Sequence, residues 1–519
     1  MKKFAETINN NKKEIFGIAF IELMLFLAVR YIMAGREGEG FISQGTLSLI
    51  VYVVFCGGFI VAGMLINLAS KKLKTEQIFL IMFLCIGLAY MVITPLSSTP
   101  DETEHFLRAY GIAQGDLVPM LNEEGQGGSY VPENLIFCWN RGASTLSDMV
   151  HHLRMVSKPE KVFLTYSNTA LYSPLTYLPQ AIGVFIAKII FNMPYLCAYA
   201  GRFCELFTVG ILLYFAIKIT PIGKDIIFVL SMLPINMYEC ASLSGGGLAF
   251  AVIILLVAYT LYLRFTHEGE MNWKEKLYLY LLLLFVASCK IVYVPFVFMA
   301  FIIHKEKFGT NKKYFFHIGC AAVMILLASV GWVGISSRYL IEYNEGVSSV
   351  DQVKYILKNP FSYLQVIMNT IIHEGDWIIK TFFAGYLGYF DVSTDILMIF
   401  TTGANLIYVC VTSSLVLPYK VTTKELLQPF VMLAVSVAVS LAFVLTSLYV
   451  QWNPVAATYI SGLQGRYFLP LMYPFILLIK RKYNKEGGLN NDAKNDKGFK
   501  FLIVFVNFLV IVTLLVRYA

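Results

Sequence analysis

Residues 78–95 read IFLIMFLCIGLAYMVITP, and a few positions later comes Thr99-Pro100-Asp101-Glu102-Thr103-Glu104-His105-Phe106-Leu107-Arg108-Ala109-Tyr110. The first stretch is an unbroken apolar run, long enough to cross a bilayer, which takes about 20 helical residues. The second places three carboxylates, a histidine and an arginine within eight positions, beside that run. Charge next to a lipid core is costly, so a cluster there serves function or strong pairing. Asp101 followed by Glu104 also suits a helix start. A cap alone does not account for His105 and Arg108.

Outward from this point the chain repeats the pattern. Hydrophobic residues make up 57% of its 519 positions and charged residues 14%, a balance that suits a polytopic membrane protein. Apolar runs cover Ile15 to Ala34, Thr46 to Ala69, Ile78 to Pro95, Tyr172 to Phe191, Cys197 to Lys218, Ile226 to Cys240 and Leu248 to Leu263. They continue at Leu277 to Ile303, Tyr314 to Trp332, Ile396 to Leu415, Leu427 to Tyr449, Gln464 to Lys480 and Phe501 to Val516. The expectation is an all-α integral membrane fold of about 13 transmembrane helices. Lys2, Lys3, Lys12 and Lys13 before the first run read as a retained signal anchor.

The net charge of +8 reads as topology and lipid contact; no basic-aromatic patch points to nucleic acid. The nine cysteines are scattered without a C-x-x-C, so neither a disulfide framework nor a zinc site is expected. His151-His152, His373-Glu374 and Ser244-Gly245-Gly246-Gly247 lack the spacing of a metal site or a P-loop.

Lysine-rich connections assign sides. Lys71 to Lys74, Arg264 to Lys276, His304 to Lys313, Lys420 to Lys424 and Lys480 to Lys497 belong in the cytosol by the positive-inside rule. They can all do so if one of Tyr172–Phe191 and Cys197–Lys218 does not cross. Pro174 and Pro179 make the first the better candidate for a re-entrant or juxtamembrane helix. Lys290, in the middle of Leu277–Ile303, fits two short spans meeting at the outer side.

The chain then divides into N-terminal transmembrane helices (1–95), a first extracytoplasmic loop of short helices (96–170), a central transmembrane region (171–335), a second extracytoplasmic loop (336–393) with a helix over Val350 to Ile372, and a C-terminal transmembrane region (394–519) with a cytosolic linker near 480–499. Asp101 to Tyr110, the Tyr172 segment, Ser242 to Gly247, Lys290 and Gln451 to Arg466 converge on the outer face, which argues for one site at the bilayer surface.

Arg466, at the mouth of a crossing beside Gly465, suits bidentate phosphate binding, and equally an interfacial anchor with Trp452, Tyr459 and Tyr467. Lys290 reads as an anion partner or a snorkelling lysine. Arg202 and Glu205, three apart, read as a helical ion pair.

Together these stretches resemble a bacterial family of polytopic membrane proteins, the domain-of-unknown-function 2142 family, grouped with the GT-C glycosyltransferases. The resemblance rests on Pro100-Asp101-Glu102-x-x-His105-Phe106, on Tyr172-x-Pro174-x-x-Tyr177-x-Pro179-Gln180, on Lys290, and on Trp452-x-Pro454 with Gln464-Gly465-Arg466-Tyr467-Phe468. One departure is the outer turn Ser242 to Gly247, where many relatives carry an aspartate.

The resemblance implies a GT-C-like bundle in the bacterial cytoplasmic membrane. Its activity would be transfer of a sugar from a polyprenyl-phosphate donor to a cell-envelope glycan, teichoic acid or lipid acceptor. It implies Asp101 as general base, with Glu102 as its support or as ligand to an optional divalent cation such as Mg or Mn. His105, Lys290 and Arg466 would hold the donor phosphate, and Arg108, Tyr172, Tyr177, Gln464 and Tyr467 would line the substrate. The rival readings are a transporter or flippase of lipid-linked glycans and a non-catalytic scaffold of the same fold.

Overall fold

The computed structural model describes residues 73–135, 152–153, 155–341, 344–388, 390, 392–394, 396–412, 423–479 and 497–518. The expected crossings Ile15–Ala34 and Thr46–Ala69 and the linker after Lys480 lie outside them.

The chain is a helical membrane protein. Among the described residues, five helices have the length and apolarity to cross a bilayer: α1 (Thr75–Ile93), α5 (Pro194–Ile219), α8 (Gly246–Phe265), α10 (Asn311–Ser336) and α14 (Thr423–Trp452). Shorter apolar helices pack among them. These include α13 (Ile396–Thr412), α15 (Leu469–Ile479) and α16 (Lys497–Tyr518).

Contacts order the ends. Arg264, at the end of α8, donates to the carbonyls of Ile302 and Glu425, which joins three elements at a lower end rich in lysines. The upper end carries Ile93, the start of α8 and the last turns of α10 and α14.

Prolines and one lysine break the apolar runs. The expected crossing Ile226–Cys240 is two short helices, α6 (Lys224–Ser231) and α7 (Pro234–Cys240). Pro234 has no N–H to continue the ladder, so it opens a new helix instead. Leu277–Ile303 is a hairpin: α9 (Trp273–Cys289) rises, Lys290 is extended, and a 3₁₀ segment, Ile291–Ile302, descends through Pro295 to the Arg264 contact. The helix expected over Val350 to Ile372 is likewise divided at Asn359-Pro360, into α11 (Ser349–Lys358) and α12 (Pro360–Phe382).

Of the two segments of which only one was expected to cross, α5 has the length to span. α4 (Leu178–Ile190) is about 20 Å long, too short for the ~30 Å hydrocarbon core, and packs against α5 and α2 (Glu102–Ala113).

The first loop holds more than short helices. Strands β1 (Met120–Leu121), β2 (Gly127–Pro132) and β3 (Lys161–Thr165) form an antiparallel sheet, with Ser129 opposite Leu164. Its buried face meets α2, the short helix α3 (Ser167–Ala170) and α4 in a second core of Phe106, Leu107, Tyr110, Val131, Leu164, Ala170 and Val184, separate from the main bundle core.

Candidate functional site

α2 starts where an arginine holds it. Arg202, inside α5, donates to both oxygens of Glu102 at 2.7 and 2.6 Å. Its remaining N–H groups go to the carbonyls of Met91, Thr94 and Pro95 at 2.6–3.1 Å. All five guanidinium donors face acceptors in a fully buried setting. Glu102 also accepts from the backbone N–H of Ser97 and Leu243. This clamp ties α1, α2, α5 and the Ser242 turn together, and it replaces two expectations. Glu102 has no free oxygen for a metal or for supporting a base. Arg202 does not pair with Glu205, whose Oε1 accepts instead from the N–H of Leu248 at the start of α8.

Asp101 comes immediately before. Its backbone is left-handed (φ 63°, ψ 10°), a conformation that Asp tolerates better than most side chains. It stands at the N-cap of α2, yet its carboxylate makes no capping hydrogen bond there. The carboxylate turns to Arg466 instead, with Oδ2 3.5 Å from Nη2, and is 40% exposed.

Arg466 sits on a 3₁₀ turn, Gly465–Phe468, and its side chain is 9% exposed. The turn is fixed by α12. The N–H of Gly465 donates to Thr381 Oγ1 at 2.8 Å, and a Cβ on Gly465 would lie 2.1 Å from the backbone nitrogen of Phe382. Only glycine allows that approach. On its other side Arg466 Nη1 lies 3.9 Å from Glu239 Oε1. Both ion contacts are longer than a hydrogen bond, and Arg466 Nε has no partner among the described residues.

Glu239 joins this group from inside the apolar run Ile226–Cys240. It is buried at the end of α7, accepts from Ser244 Oγ at 3.1 Å, and lies so near Gly246 that a Cβ there would overlap Oε1. The turn Ser242 to Gly247 therefore has a carboxylate packed on it. Its legible signal was an acid within an otherwise apolar run.

Around this trio stand aromatic and basic groups. His105 Nδ1 is 2.7 Å from Tyr177 Oη, and its ring lies parallel to that of Tyr172 at 6.5 Å. Burial, reinforced by Lys290 and then Arg466, holds the imidazole well below its ordinary pKa, so His105 is neutral near pH 7. A neutral imidazole brings hydrogen bonding and no charge to this group. Lys290 Nζ lies 5.6 Å from the Tyr172 ring centre, and burial, then Asp101, raises the Tyr172 phenol. Tyr467 accepts through its carbonyl from Tyr293 Oη. Gln464, beside the turn, keeps a buried Oε1 without partner among the described residues.

A cavity of about 250 Å³ opens beside these groups, lined by Tyr172, Lys290 and Tyr467, by Ser336 and Gln451, and by Ala328, Trp332, Val444 and Leu448 of α10 and α14. It places polar groups at the upper end of two membrane helices and apolar walls between them. Arg108 is not part of it: buried, it donates to the carbonyls of Asp116 and Leu117 and faces Trp332, tying down the loop before β1.

The donor set does not suit the optional divalent cation. Arg466 stands between Asp101 and Glu239, both Glu102 oxygens are taken by Arg202, and no group of three or more His, Cys, Asp or Glu suited to a metal occurs among the described residues.

The family model described as predicted membrane protein (DUF2142) matches residues 83–474, well over half the chain and the whole of this site. The chain belongs to that family. Neither the curated proteins nor the solved structures give this DUF2142 protein a match.

Proposed function

We propose that this DUF2142 protein is a membrane glycosyltransferase of GT-C type, taking a sugar from a polyprenyl-phosphate donor to a cell-envelope acceptor outside the cytoplasmic membrane. The observation that carries the reading is Asp101: strained, uncapped, partly exposed, and turned to a buried arginine that has donor capacity left. The positive-inside rule supports a cytosolic assignment for the lysine-rich lower end, and with it an outward-facing site. A lipid-linked donor brings its phosphate to that level with its chain between α10 and α14.

In this reading the phosphate takes up the free donors of Arg466, with Lys290 beside it, and loosens the long Asp101 contact. Asp101 accepts the proton of the acceptor hydroxyl as its oxygen attacks the anomeric carbon. The bond from that carbon to the phosphate oxygen breaks, and its electron pair stays on the phosphate, where Arg466 and Lys290 stabilise it. Attack opposite the phosphate inverts the anomeric centre. Glu239 orients Arg466 from behind. Neutral His105 with Tyr172 and Tyr177 offers aromatic faces and hydrogen-bond donors to the sugar.

The test compares wild type with Asp101→Asn in membranes supplied with radiolabelled polyprenyl-phosphate sugars. Transfer is expected to fall by about a hundredfold or more at equal protein level. Equal transfer removes Asp101 from catalysis. Movement of labelled lipid across the bilayer without transfer would favour a flippase.

A further inference from the structure

Among the described residues, the contacts of α12 with the rest of the protein lie along one side. Tyr363 Oη is 2.8 Å from Thr446 Oγ1 and its ring stacks on Tyr449, both in the last turns of α14. Thr370 accepts from the N–H of Ile460, and Thr381 from that of Gly465. Tyr363 and Thr381 are about 27 Å apart along the helix, and both meet the upper end of the bundle. α12 therefore runs along the upper rim instead of rising away from it.

At 100° per residue, Phe361, Leu364, Met368, Ile371, Ile372 and Ile379 form one stripe on the side opposite these contacts. All six are exposed, Phe361 by 85% and Ile372 by 76%. Gln365, His373 and Asp376 make a polar flank between stripe and protein, and just below the Tyr363 contact α14 turns Leu441 and Phe443 outward. An apolar stripe of this size facing water is costly, while the polar flank bars full immersion in hydrocarbon. A helix divided in this way, at the depth where membrane spans end, suits the boundary between headgroups and acyl chains.

We propose that α12 lies in the plane of the bilayer with this stripe seated in the leaflet that faces the site, and that the seating holds the Gly465–Arg466 turn in place. The link is short: Phe382 and Thr381, at the end of α12, are the groups against which Gly465 is pressed. The inference needs no assumption about the reaction and stands or falls apart from it.

The test uses the full chain in nanodiscs of phosphatidylethanolamine and phosphatidylglycerol, with a genetically encoded fluorescent amino acid in place of Met368 or, separately, Asp376. Brominated acyl chains are expected to quench the probe at 368 several-fold more than at 376, and aqueous iodide the reverse. Equal iodide quenching at both positions overturns the lipid seat. So does protection of 368 from both quenchers, which would mean that protein covers the stripe. Hydrogen exchange then reads the link to the site. In Met368→Lys/Ile372→Lys, the amides of Gly465 to Phe468 are expected to exchange several-fold faster than in wild type, with those of α1 unchanged; no change at Gly465 to Phe468 refutes the coupling. If α1 also loses protection, Ile372→Gln carries the same comparison.

Discussion

Arg202 and Arg466 are both buried arginines paired with acids at the same end of one bundle, and they are built differently. Arg202 spends all five donors at 2.6–3.1 Å on Glu102 and three carbonyls. Arg466 meets two carboxylates at 3.5 and 3.9 Å, shares a contact with the Tyr467 side chain, and keeps Nε without a partner among the described residues. A saturated guanidinium has nothing left for a ligand and works as a rivet. An under-used one, held by a glycine turn against α12, has room for an incoming anion. The difference teaches that charge and burial do not separate a saturated arginine from one with capacity for a ligand, whereas the count of satisfied donors does.

The hardest test of this contrast is Arg202→Met. It leaves Glu102 buried without its cation and is expected to cost about 3–5 kcal/mol, seen as a large fall in melting temperature in detergent. A fall of only a degree or two would erase the distinction. Arg466→Lys should behave the other way. Its ion contacts are long and lysine keeps the charge, so the stability loss is expected to be well below that of Arg202→Met, while transfer falls about a hundredfold because a point charge replaces the planar fork. A stability loss like that of Arg202→Met would make Arg466 a second rivet.

The smallest expected effect concerns pH. His105 is held well below the ordinary value of about 6.5, so between its folded and unfolded pKa values the unfolded chain binds the extra proton. Stability contributed by this site rises with pH through that window, by at most about 1.4 kcal/mol per pH unit, and levels off above about pH 7.5. His105→Gln removes that slope from the dependence of melting temperature on pH; an unchanged slope would show that His105 is not the group titrating.

Much of this was legible in residue order. Apolar runs such as Ile78–Pro95 need only length and composition to be read as membrane helices. Asp101, Lys290 and Arg466 stood out because charge beside lipid requires a reason. What stayed hidden was pairing. Glu205 is three positions from Arg202 and Glu102 is a hundred, yet Arg202 binds Glu102, because packing α1 and α2 against α5 brings the distant acid closer than the local one. Glu239 became a site residue only when α7 brought it to Arg466, and the β1–β3 sheet left no strong alternating pattern in a loop rich in turns.

The sequence by itself determined that this is a helical membrane protein of the DUF2142 family with its unusual polar residues gathered in a few stretches between apolar runs. It could do so because hydropathy and local motifs are properties of neighbours along the chain. Only the tertiary structure decided that Asp101 is left-handed and uncapped, that Glu102 belongs to Arg202, and that Arg466, between two carboxylates, keeps Nε without a partner among the described residues. Those facts depend on which acceptors reach which donors once the helices pack, and that is set by geometry across the bundle.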